Sequence, residues 1–358
     1  MARKTTRMHV TIHDVARRAN VTVGTVSKAL NRNGSLRQET RDKIIAVAKQ
    51  LGFRPNDLAQ SLHRGHSLTV GLISTDSFGR FTIPIMEGLE ECLADQRMAV
   101  FMCNATDDPE REAQHVESLI GKRVDGIIVT ARRADRRSKL AVPASDIPVL
   151  YVFSQIDDPD SVCLLPDDEG GALLATSHLI GLGRRRIAHV SGPERFEAVR
   201  LRRDGYRKAM IQAGLGEPRG FYLPGIWSED WGREAVARLF ATNRQSPDAI
   251  FCGNDQIARG MADALRERGI AVPGEVAIVG FDNWEIIAAA TRPPLTTIDM
   301  NLHELGRQAG MRLLAQARDP AVRSRADRAL SGRRTKAGVL RLPCTLVVRE
   351  SCGAARAG

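Results

Sequence analysis

The sequence predicts a small all-α helix-turn-helix head with a short hinge helix, followed by a larger α/β body with parallel sheets. Two patterns predict this fold class: only helical stretches occur in the head, whereas short apolar runs alternate with amphipathic helices from Ser67 onward. Such alternation is typical of a parallel sheet with helices on both faces. The charge divides at the same place, because residues 1–66 carry 13 Lys and Arg against 4 acidic residues, which gives +9 of the net +10.

The composition restricts the class of protein. No run of about 18 apolar residues occurs, so we expect no transmembrane helix and no contact with a membrane. The first residues lack the apolar core of a signal peptide, so we expect a cytoplasmic, nucleoid-associated protein. The six cysteines form no CxxC pair and no metal-ligand spacing with histidine, so we expect no metal site and no cofactor. The basic head favours a polyanionic partner, with nucleic acid as the first candidate.

Three helices are predicted in the head, at 12–19, at 22–30 with Thr22 as its cap, and at 38–51. The residues that we expect to face the core are Ile12, Val15, Ala16, Ala19, Val26, Ala29, Leu30, Ile44, Ile45, Val47, Ala48 and Leu51. Two helices joined by a tight turn, with a third to close the core, make a helix-turn-helix, whose second helix enters the major groove of DNA. Pro55 begins a further helix that is too short to be stable alone.

The body alternates predicted strands with amphipathic helices. Strands are expected at 68–74, 99–103, 125–129, 148–152, 186–190, 249–252 and 276–281, and helices at 85–96, 110–122, 171–182, 231–241 and 256–268. A body of this length suggests two lobes, with a ligand site in the cleft where the carboxyl ends of the strands meet. No GxSxG, P-loop, HExxH or GxGxxG motif occurs, so we expect a binding protein and no enzyme.

Residue 11 begins a dense motif, T-I-x-D-V-A-x-x-A-x-V-T-x-x-T-V-S-K-x-L-N, followed by E-T-R, L-G-F-R-P-N and L-A-x-S-L. This motif resembles the head of the LacI/GalR family of bacterial transcription regulators. The body matches that family too, in pieces such as HLIGLGRRRIAHVSGP, PDAIFCGNDQIARG and GIAVPGEVAIVGFDN, and it is similar to periplasmic sugar-binding proteins. The resemblance implies a headpiece at 1–54, a hinge helix and linker at 55–66, and an effector-binding and dimerisation domain at 67–358.

The resemblance also implies the residues that contact DNA. Positions that match the family's phosphate and sugar contacts are Thr11, Thr22, Thr25, Ser27 and Asn31, and positions that match its base contacts are Val23, Gly24 and Lys28. The last residue of the headpiece and the hinge add Arg54, Asn56 and Leu62. Valine and glycine offer little beyond methyl contact, so Lys28 is expected to carry most of the direct readout, with a phosphate contact as the alternative. Leu62 matches the leucine that enters the minor groove, with packing between hinge and body as its alternative.

Six positions of the body match the polar and ring-stacking positions of the family's effector site, namely Asp76, Phe81, Arg202, Trp227, Asn254 and Asp282. Aromatic faces beside Arg, Asn and Asp suit a sugar or a sugar acid, although a nucleobase would stack on the same rings. Asn254 and Asp282 can instead cap helices, and Trp227 can be plain core. Phe153 stands where several members of the family place a polar contact with the ligand.

We therefore expect a repressor that binds a palindromic double-stranded DNA operator as a homodimer under the control of a small molecule. The basic segment 318–337 is expected to be a solvated loop, with extra attraction to DNA as its alternative role. The other functions to be weighed are a sugar-binding receptor without a regulatory role, a regulator that needs a purine-like co-repressor, an enzyme, and an architectural protein that bends DNA.

Overall fold

The computed structural model describes residues 10–30, 35–53, 66–142, 147–158, 160–241, 246–318, 333–334 and 338–354. The chain divides into two units, Met1–Ser67 and Leu68–Gly358. Apart from its last residue, the hinge expected at 55–66 lies outside the described residues, as does most of the loop expected at 318–337. No helix in the described ranges is long and apolar enough to cross a lipid bilayer.

Three helices form the first unit, α1 (Ile12–Ala19), α2 (Val23–Leu30) and α3 (Gln38–Leu51). The carboxylate of Asp14 accepts hydrogen bonds from the amide and the hydroxyl of Thr11, at 3.0 and 2.7 Å, and so closes the first turn of α1. Asn20 ends this helix with a φ of 55°, in the left-handed region. Asparagine tolerates this conformation, so the tight turn into α2 forms without glycine.

The core of the first unit is made by one stripe of each helix. Its fully buried residues are Val15, Ala16, Ala19, Val26, Ala29, Ile44 and Ala48. The prediction that Ile45 faces this core is wrong, because Ile45 is 42% exposed. Adjacent residues of a helix differ by about 100° in direction, so the face of α3 that carries Ile44 and Ala48 turns Ile45 outward.

The first lobe of the second unit is built on a mostly parallel sheet. Its strands are β1 (Thr69–Ser74), β2 (Ala99–Asn104), β3 (Gly126–Thr130), β5 (Val149–Val152), β7 (Val162–Pro166), β13 (Arg333–Arg334) and β14 (Val339–Leu342), with a separate pair, β4 (Arg136–Arg137) and β6 (Gln155–Ile156). The order across the sheet is β13-β14-β7-β5-β3-β1-β2, and β13 alone runs antiparallel to its neighbour. The helices of this lobe are α4 (Thr82–Ala94), α5 (Pro109–Gly121) and α11 (Leu302–Arg318).

The second lobe repeats this architecture. Its strands are β8 (Ile187–Ser191), β9 (Tyr222–Pro224), β10 (Ala249–Cys252), β11 (Ala277–Phe281), β12 (Thr296–Asp299) and β15 (Thr345–Val347). They lie in the order β15-β12-β11-β10-β8-β9, and β15 runs antiparallel to β12. Its helices are α6 (Asp168–Gly181), α7 (Glu197–Gln212), α8 (Glu229–Leu239), α9 (Asp255–Glu267) and the short α10 (Glu285–Ala288).

Within the described residues the chain passes between the two lobes three times, from β7 to α6, from β12 to α11 and from β14 to β15. The passages are bonded to one another. The amide of Asp167 donates to the carbonyl oxygen of Leu342 at 2.8 Å, and the Nδ2 of Asn301 donates to the carbonyl oxygen of Pro343 at 2.7 Å. The three connections therefore lie side by side where the lobes meet.

Helices α4 and α11 of the first lobe pack backbone against backbone. A methyl group on Gly306 would overlap the carbonyl oxygen of Ile85, and one on Gly88 would overlap the carbonyl oxygen of His303. Glycine is required at both positions, because it alone lets the two helices approach so closely.

The predicted fold class is confirmed, since a helical head precedes two α/β lobes with parallel sheets. All seven predicted strands are present, with ends that differ by one residue at most. Strands β7, β9, β12, β14 and β15 were not among the predicted elements. They are short, with three to five residues each, and several of them end a lobe rather than continue its alternation.

Candidate functional site

Polar and aromatic side chains follow the carboxyl ends of strands in both lobes and meet between them. In the first lobe they come from the loop after β1 and from the end of β5. In the second lobe they come from the segments after β10 and β11 and from helix α7. Hydrogen bonds join the two groups across the junction, so the lobes form a cleft at the place that parallel α/β sheets use for ligands.

Arg202 on α7 is the centre of this cleft and is 4% exposed. Its Nε donates to Asp168 at 2.7 Å, and its Nη1 donates to the carbonyl oxygen of Gly253 at 2.6 Å and to Asp282 Oδ1 at 3.4 Å. Its guanidinium also lies 3.7 Å from the centre of the Phe281 ring. Burial by itself lowers the pKa of Arg202, but the two carboxylates raise it above its usual value, so the side chain is a fixed cation.

Asp282 is held in place by the loop that carries it. Its φ of 100° and the φ of 49° at Asn283 lie in the left-handed region, which non-glycine residues rarely adopt. The Nδ2 of Asn283 donates to Asp299 at 2.9 Å, and Arg349 donates to the Oδ1 of Asn283 at 2.9 Å. Strained backbone persists where the surroundings fix it, and it is found most often at ligand sites.

Asp76 and Asn254 both cap helices. Asp76 Oδ2 accepts hydrogen bonds from the amides of Phe81 and Thr82, at 2.8 and 3.2 Å, where α4 begins. Asn254 Oδ1 accepts from the amide of Ile257 at 2.9 Å and caps α9. Both side chains are buried beside the cleft. Through these hydrogen bonds, each fixes the start of a helix at the cleft.

The cleft has an aromatic side chain on each lobe. Phe81 stacks on Phe153, with ring centres 4.8 Å apart. Trp227 packs over Gly192, where a Cβ would overlap the indole ring, and its ring centre is 6.0 Å from the guanidinium of Arg202. The structure thus brings Phe81, Arg202, Trp227 and Asp282 to one junction.

Sequence reasoning missed several charged residues of the cleft. In the sequence, the pair Asp167 and Asp168 is typical of a solvated or capping turn. Asp167 does cap α6, by accepting from the amide of Gly170 at 3.0 Å, but Asp168 is 2% exposed and pairs with Arg202. Asp255 is buried as well, and burial together with the charge of Asp282 raises its pKa to about 7. Arg80 joins Gln256 and Asp282 of the opposite lobe. In the sequence, a role for Arg80 in the site is indicated only by its position next to Phe81, which was a predicted site residue.

The head presents its candidate DNA-contacting residues around the start of α2. Thr22 Oγ1 accepts from the amide of Thr25 at 3.2 Å and so caps α2. Thr11, Thr22, Gly24 and Lys28 are exposed, whereas Val23, Thr25 and Ser27 are half-buried. Asn31, Arg54, Asn56 and Leu62 lie outside the described residues.

Among the residues that the structure describes, no three His, Cys, Asp or Glu side chains come close enough to hold a metal ion. The described cysteines are free thiols, and Cys163, Cys252 and Cys352 are buried.

Comparisons with known proteins match both units. A family profile described as "Bacterial regulatory proteins, lacI family" matches residues 11–56, and one described as "Periplasmic binding protein-like domain" matches residues 176–352. The ribose operon repressor of Escherichia coli K12 is 33% identical over 300 residues, which cover 84% of this chain and 90% of the relative. The transcriptional repressor PurR of Haemophilus influenzae PittEE is 34% identical over 302 residues, which cover 84% of this chain and 88% of the relative.

A solved structure shares both the head and the body. The crystal structure of the lac repressor dimer bound to operator and the anti-inducer ONPF has a TM-score of 0.76 and 27% sequence identity to this chain. The alignment covers 97% of this chain and all of the other. The order of a helical head and a two-lobed body is therefore common to both chains.

Proposed function

The chain belongs to the lacI family of bacterial regulatory proteins, and from this membership we propose a repressor whose homodimer binds a palindromic operator under the control of a small molecule held between its lobes. The observation that carries the proposal is the buried cluster of Arg202 and Asp282 at the junction of the lobes, in a body joined to a head of net charge +9. Effectors act by preferring one of two states of the protein, and a coupling of about 1–3 kcal/mol changes DNA affinity about 5–150-fold.

Recognition of DNA is proposed for the exposed surface at the start of α2. Lys28 reads a guanine, because a lysine amine can donate to both acceptors of that base in the major groove. Thr11, Thr22, Thr25 and Ser27 bind phosphates and set the register. We also propose Val23 and Gly24 as close base contacts, and Asn31, Arg54, Asn56 and Leu62 as DNA contacts of the helix end and hinge.

The effector is proposed to be a sugar or a sugar acid. Hydroxyl groups of such a ligand can donate to Asp282 and accept from Arg202, while its ring packs on Phe81 and Trp227. The amide nitrogen of Asn254 adds a donor, because its oxygen is used as a helix cap. Asp76 supports the site indirectly, since its carboxylate holds the backbone that carries Phe81.

A purine is the second candidate ligand, because the faces of Phe81 and Trp227 would also stack with a base. Such a regulator would bind its operator only with the ligand present. A receptor without DNA binding is disfavoured by the charge of the head. We further infer that the chain is no enzyme, since it carries none of the catalytic motifs sought above, and that it works on nucleoid DNA in the cytoplasm.

The dimer is proposed to form through an apolar surface of the first lobe. On the edge strand β2, Phe101 and Met102 are 43% and 42% exposed. In the loop after β1 and the first turn of α4, Phe78 and Ile83 are 88% and 39% exposed. Apolar residues grouped on an exposed sheet edge indicate an interface. We assign it to a second copy of this chain, because a palindromic operator requires two heads related by a twofold axis.

The DNA-binding proposal is tested by selecting bound DNA from a random pool with the purified protein at about 0.15 M salt. We expect a palindrome whose half-sites are centred about 10 base pairs apart or a multiple of that spacing. Lys28→Ala should lose about 1–3 kcal/mol of discrimination at one base pair in each half-site. Selection without enrichment, repeated in the presence of sugars and purines, would contradict sequence-specific binding.

The effector site is tested with two variants. Arg202→Met alone leaves Asp168 buried without its ion-pair partner, which costs about 3–5 kcal/mol of stability. Arg202→Met combined with Asp168→Asn removes both charges, and we expect it to recover most of the melting temperature but not the response of operator binding to effector. A normal response in the double variant would remove Arg202 from the site.

A further inference from the structure

Arg80 connects the two lobes across the cleft. It lies in the loop between β1 and α4, next to Phe81, whose amide is bound by Asp76. Its Nη1 donates to Gln256 Oε1 at 3.1 Å, and its Nη2 forms an ion pair with Asp282 Oδ2. Both partners belong to the second lobe, so this guanidinium bridges the place where the ligand is proposed to bind.

The two faces of the Arg80 guanidinium pack against aromatic rings, and one of its edges has an unused hydrogen-bond donor. Its carbon lies 4.9 Å from the centre of the Phe81 ring and 4.5 Å from that of Trp284. The side chain is 13% exposed, and its Nε is buried with no hydrogen-bond partner among the described residues. Adjacent N–H groups such as Nε and Nη2 bind a carboxylate bidentately. Arg80 therefore has a carboxylate-binding edge that Asp282 uses only through Nη2.

Asp282 can lose its ion pair with Arg80 and still retain its ion pair with Arg202. Its Oδ2 pairs with Arg80, and its Oδ1 lies 3.4 Å from Nη1 of Arg202. The loop around Asp282 is fixed by Asn283 and Arg349, so Asp282 stays close to Arg202 when Arg80 leaves. Asp255 also interacts electrostatically with Arg80, but Asp282 is the ion-pair partner recorded for it among the described residues. A buried cation that loses its ion-pair partner is strongly destabilised.

Resting on the effector site proposed above, we propose that Arg80 makes the site specific for acidic effectors. The carboxylate of a sugar acid replaces Asp282 on the Nε and Nη2 edge of Arg80, while hydroxyl groups of the same ligand bind Asp282 and Arg202. A neutral sugar that takes Asp282 leaves the buried Arg80 without its ion-pair partner, so it binds more weakly. The direct ion pair between the lobes is thereby exchanged for a bridge through the ligand.

The test is isothermal titration calorimetry of the full-length protein with sugars paired by acid group. The probes are D-galactose with D-galacturonate, and D-glucose with D-glucuronate and D-gluconate. We expect at least one acid to bind about 10–100-fold more tightly than its neutral counterpart, as for hydrogen bonds to a charged group. Arg80→Met should remove this preference, and Arg80→Lys should keep part of it, because the ammonium retains the charge but not the bidentate edge.

The matched control is Arg200→Met on α7, since Arg200 is 58% exposed and pairs only with Glu197 in the recorded contacts. It should keep the preference of the wild type for the acid. Melting curves by circular dichroism establish that each variant is folded, and Arg80→Lys replaces Arg80→Met if the latter is not.

Three outcomes would overturn the assignment of Arg80. Neutral sugars that bind wild type as tightly as the acids would overturn it and leave the proposed effector site intact. A preference for the acid that survives in Arg80→Met would do the same. Failure of every sugar and acid to bind a protein that selects an operator would overturn both Arg80 and the proposed ligand class.

Discussion

Among the described residues of the second lobe, two basic side chains are buried, and their surroundings give them opposite charge states. Arg202 is a cation because Asp168 and Asp282 lie against it. His189 has no carboxylate partner in its recorded contacts, donates from Nδ1 to the carbonyl oxygen of Phe251 at 3.0 Å, and stacks on the Phe251 ring at 4.6 Å. Burial therefore lowers the pKa of His189 from 6.5 to about 4. The imidazole is a neutral part of the core at pH 7.

His189 should make stability depend on pH. The unfolded chain binds this proton below pH 6.5 and the folded chain only below about pH 4. Stability from the neutral imidazole is therefore complete above pH 6.5 and is lost as the pH falls to 4. The gap corresponds to about 3 kcal/mol of unfolding free energy. Urea unfolding of wild type and His189→Phe across this range measures it.

The difference between the two proteins is the relevant quantity, because Asp255 acts in the opposite sense. Its pKa is raised from 3.8 to about 7 in the fold, so its contribution weakens as the pH rises through that interval. A difference between wild type and His189→Phe that stays constant from pH 4 to 6.5 would show that the imidazole does not titrate in this way.

Known motifs pointed to some residues of the candidate site, whereas charged residues of the cleft whose partners are distant in the sequence were missed. Arg202 and Asp282 stand in recognisable motifs, R-x-x-G-Y and G-F-D-N. Arg80 stands in no such motif, and Asp282 lies 202 residues further along the chain. Asp168 reads as a turn residue until folding places it against Arg202. Charge pairing between lobes is a tertiary property, which local spacing does not encode.

At the scale of elements, runs of apolar residues predicted the central strands well. Strands β1, β3 and β11 are buried along almost their whole length, and most of their residues are apolar. Strand β12 begins with Thr296 and Thr297, both buried, and its hydroxyls find partners only in the folded chain, on Cys352 and Asp255. A short polar strand of this kind has no local signal, because distant residues satisfy its polar groups.

The close contact between α4 and α11 should make the stability of the first lobe sensitive to substitution of the glycines in that contact. Gly306→Ala places a methyl group against the carbonyl oxygen of Ile85, and we expect it to lower stability by about 1–3 kcal/mol or more, as overpacking of a core does. Differential scanning calorimetry should show a lower melting temperature.

The matched control is Gly181→Ala, at the last residue of α6, where a Cβ meets nothing within 4 Å. Alanine there should be neutral or stabilise the protein by up to about 1 kcal/mol. Equal melting temperatures for the two variants would mean that the helices of the first lobe separate at little cost.

At the scale of the whole molecule, the affinity for the operator should depend on the pairing of two bodies. Phe101→Asp places a charge on the exposed edge strand β2, which is the proposed interface between copies. We expect sedimentation to show a monomer, and operator affinity to fall about 100-fold or more, because the two heads are no longer linked. Effector affinity per chain should stay close to that of wild type, since Phe101 lies outside the cleft.

Ile211→Asp serves as the control for a surface charge, because Ile211 is 66% exposed on α7 in the other lobe. It should remain dimeric and bind the operator normally. If Phe101→Asp also remains dimeric, β2 is not the interface.

Within the part of the chain that the structure describes, three short connections between the lobes lie side by side and are hydrogen-bonded to one another. Because these segments form one hinge, we expect the lobes to open and close about it more easily than they slide or twist against each other. We therefore expect a ligand in the cleft to act by changing the angle between the two lobes. A ligand that releases DNA and a ligand that promotes repression would then act on the same angle between the lobes, in opposite directions. Their roles would be exchanged by a change in which ligand stabilises the more closed lobes.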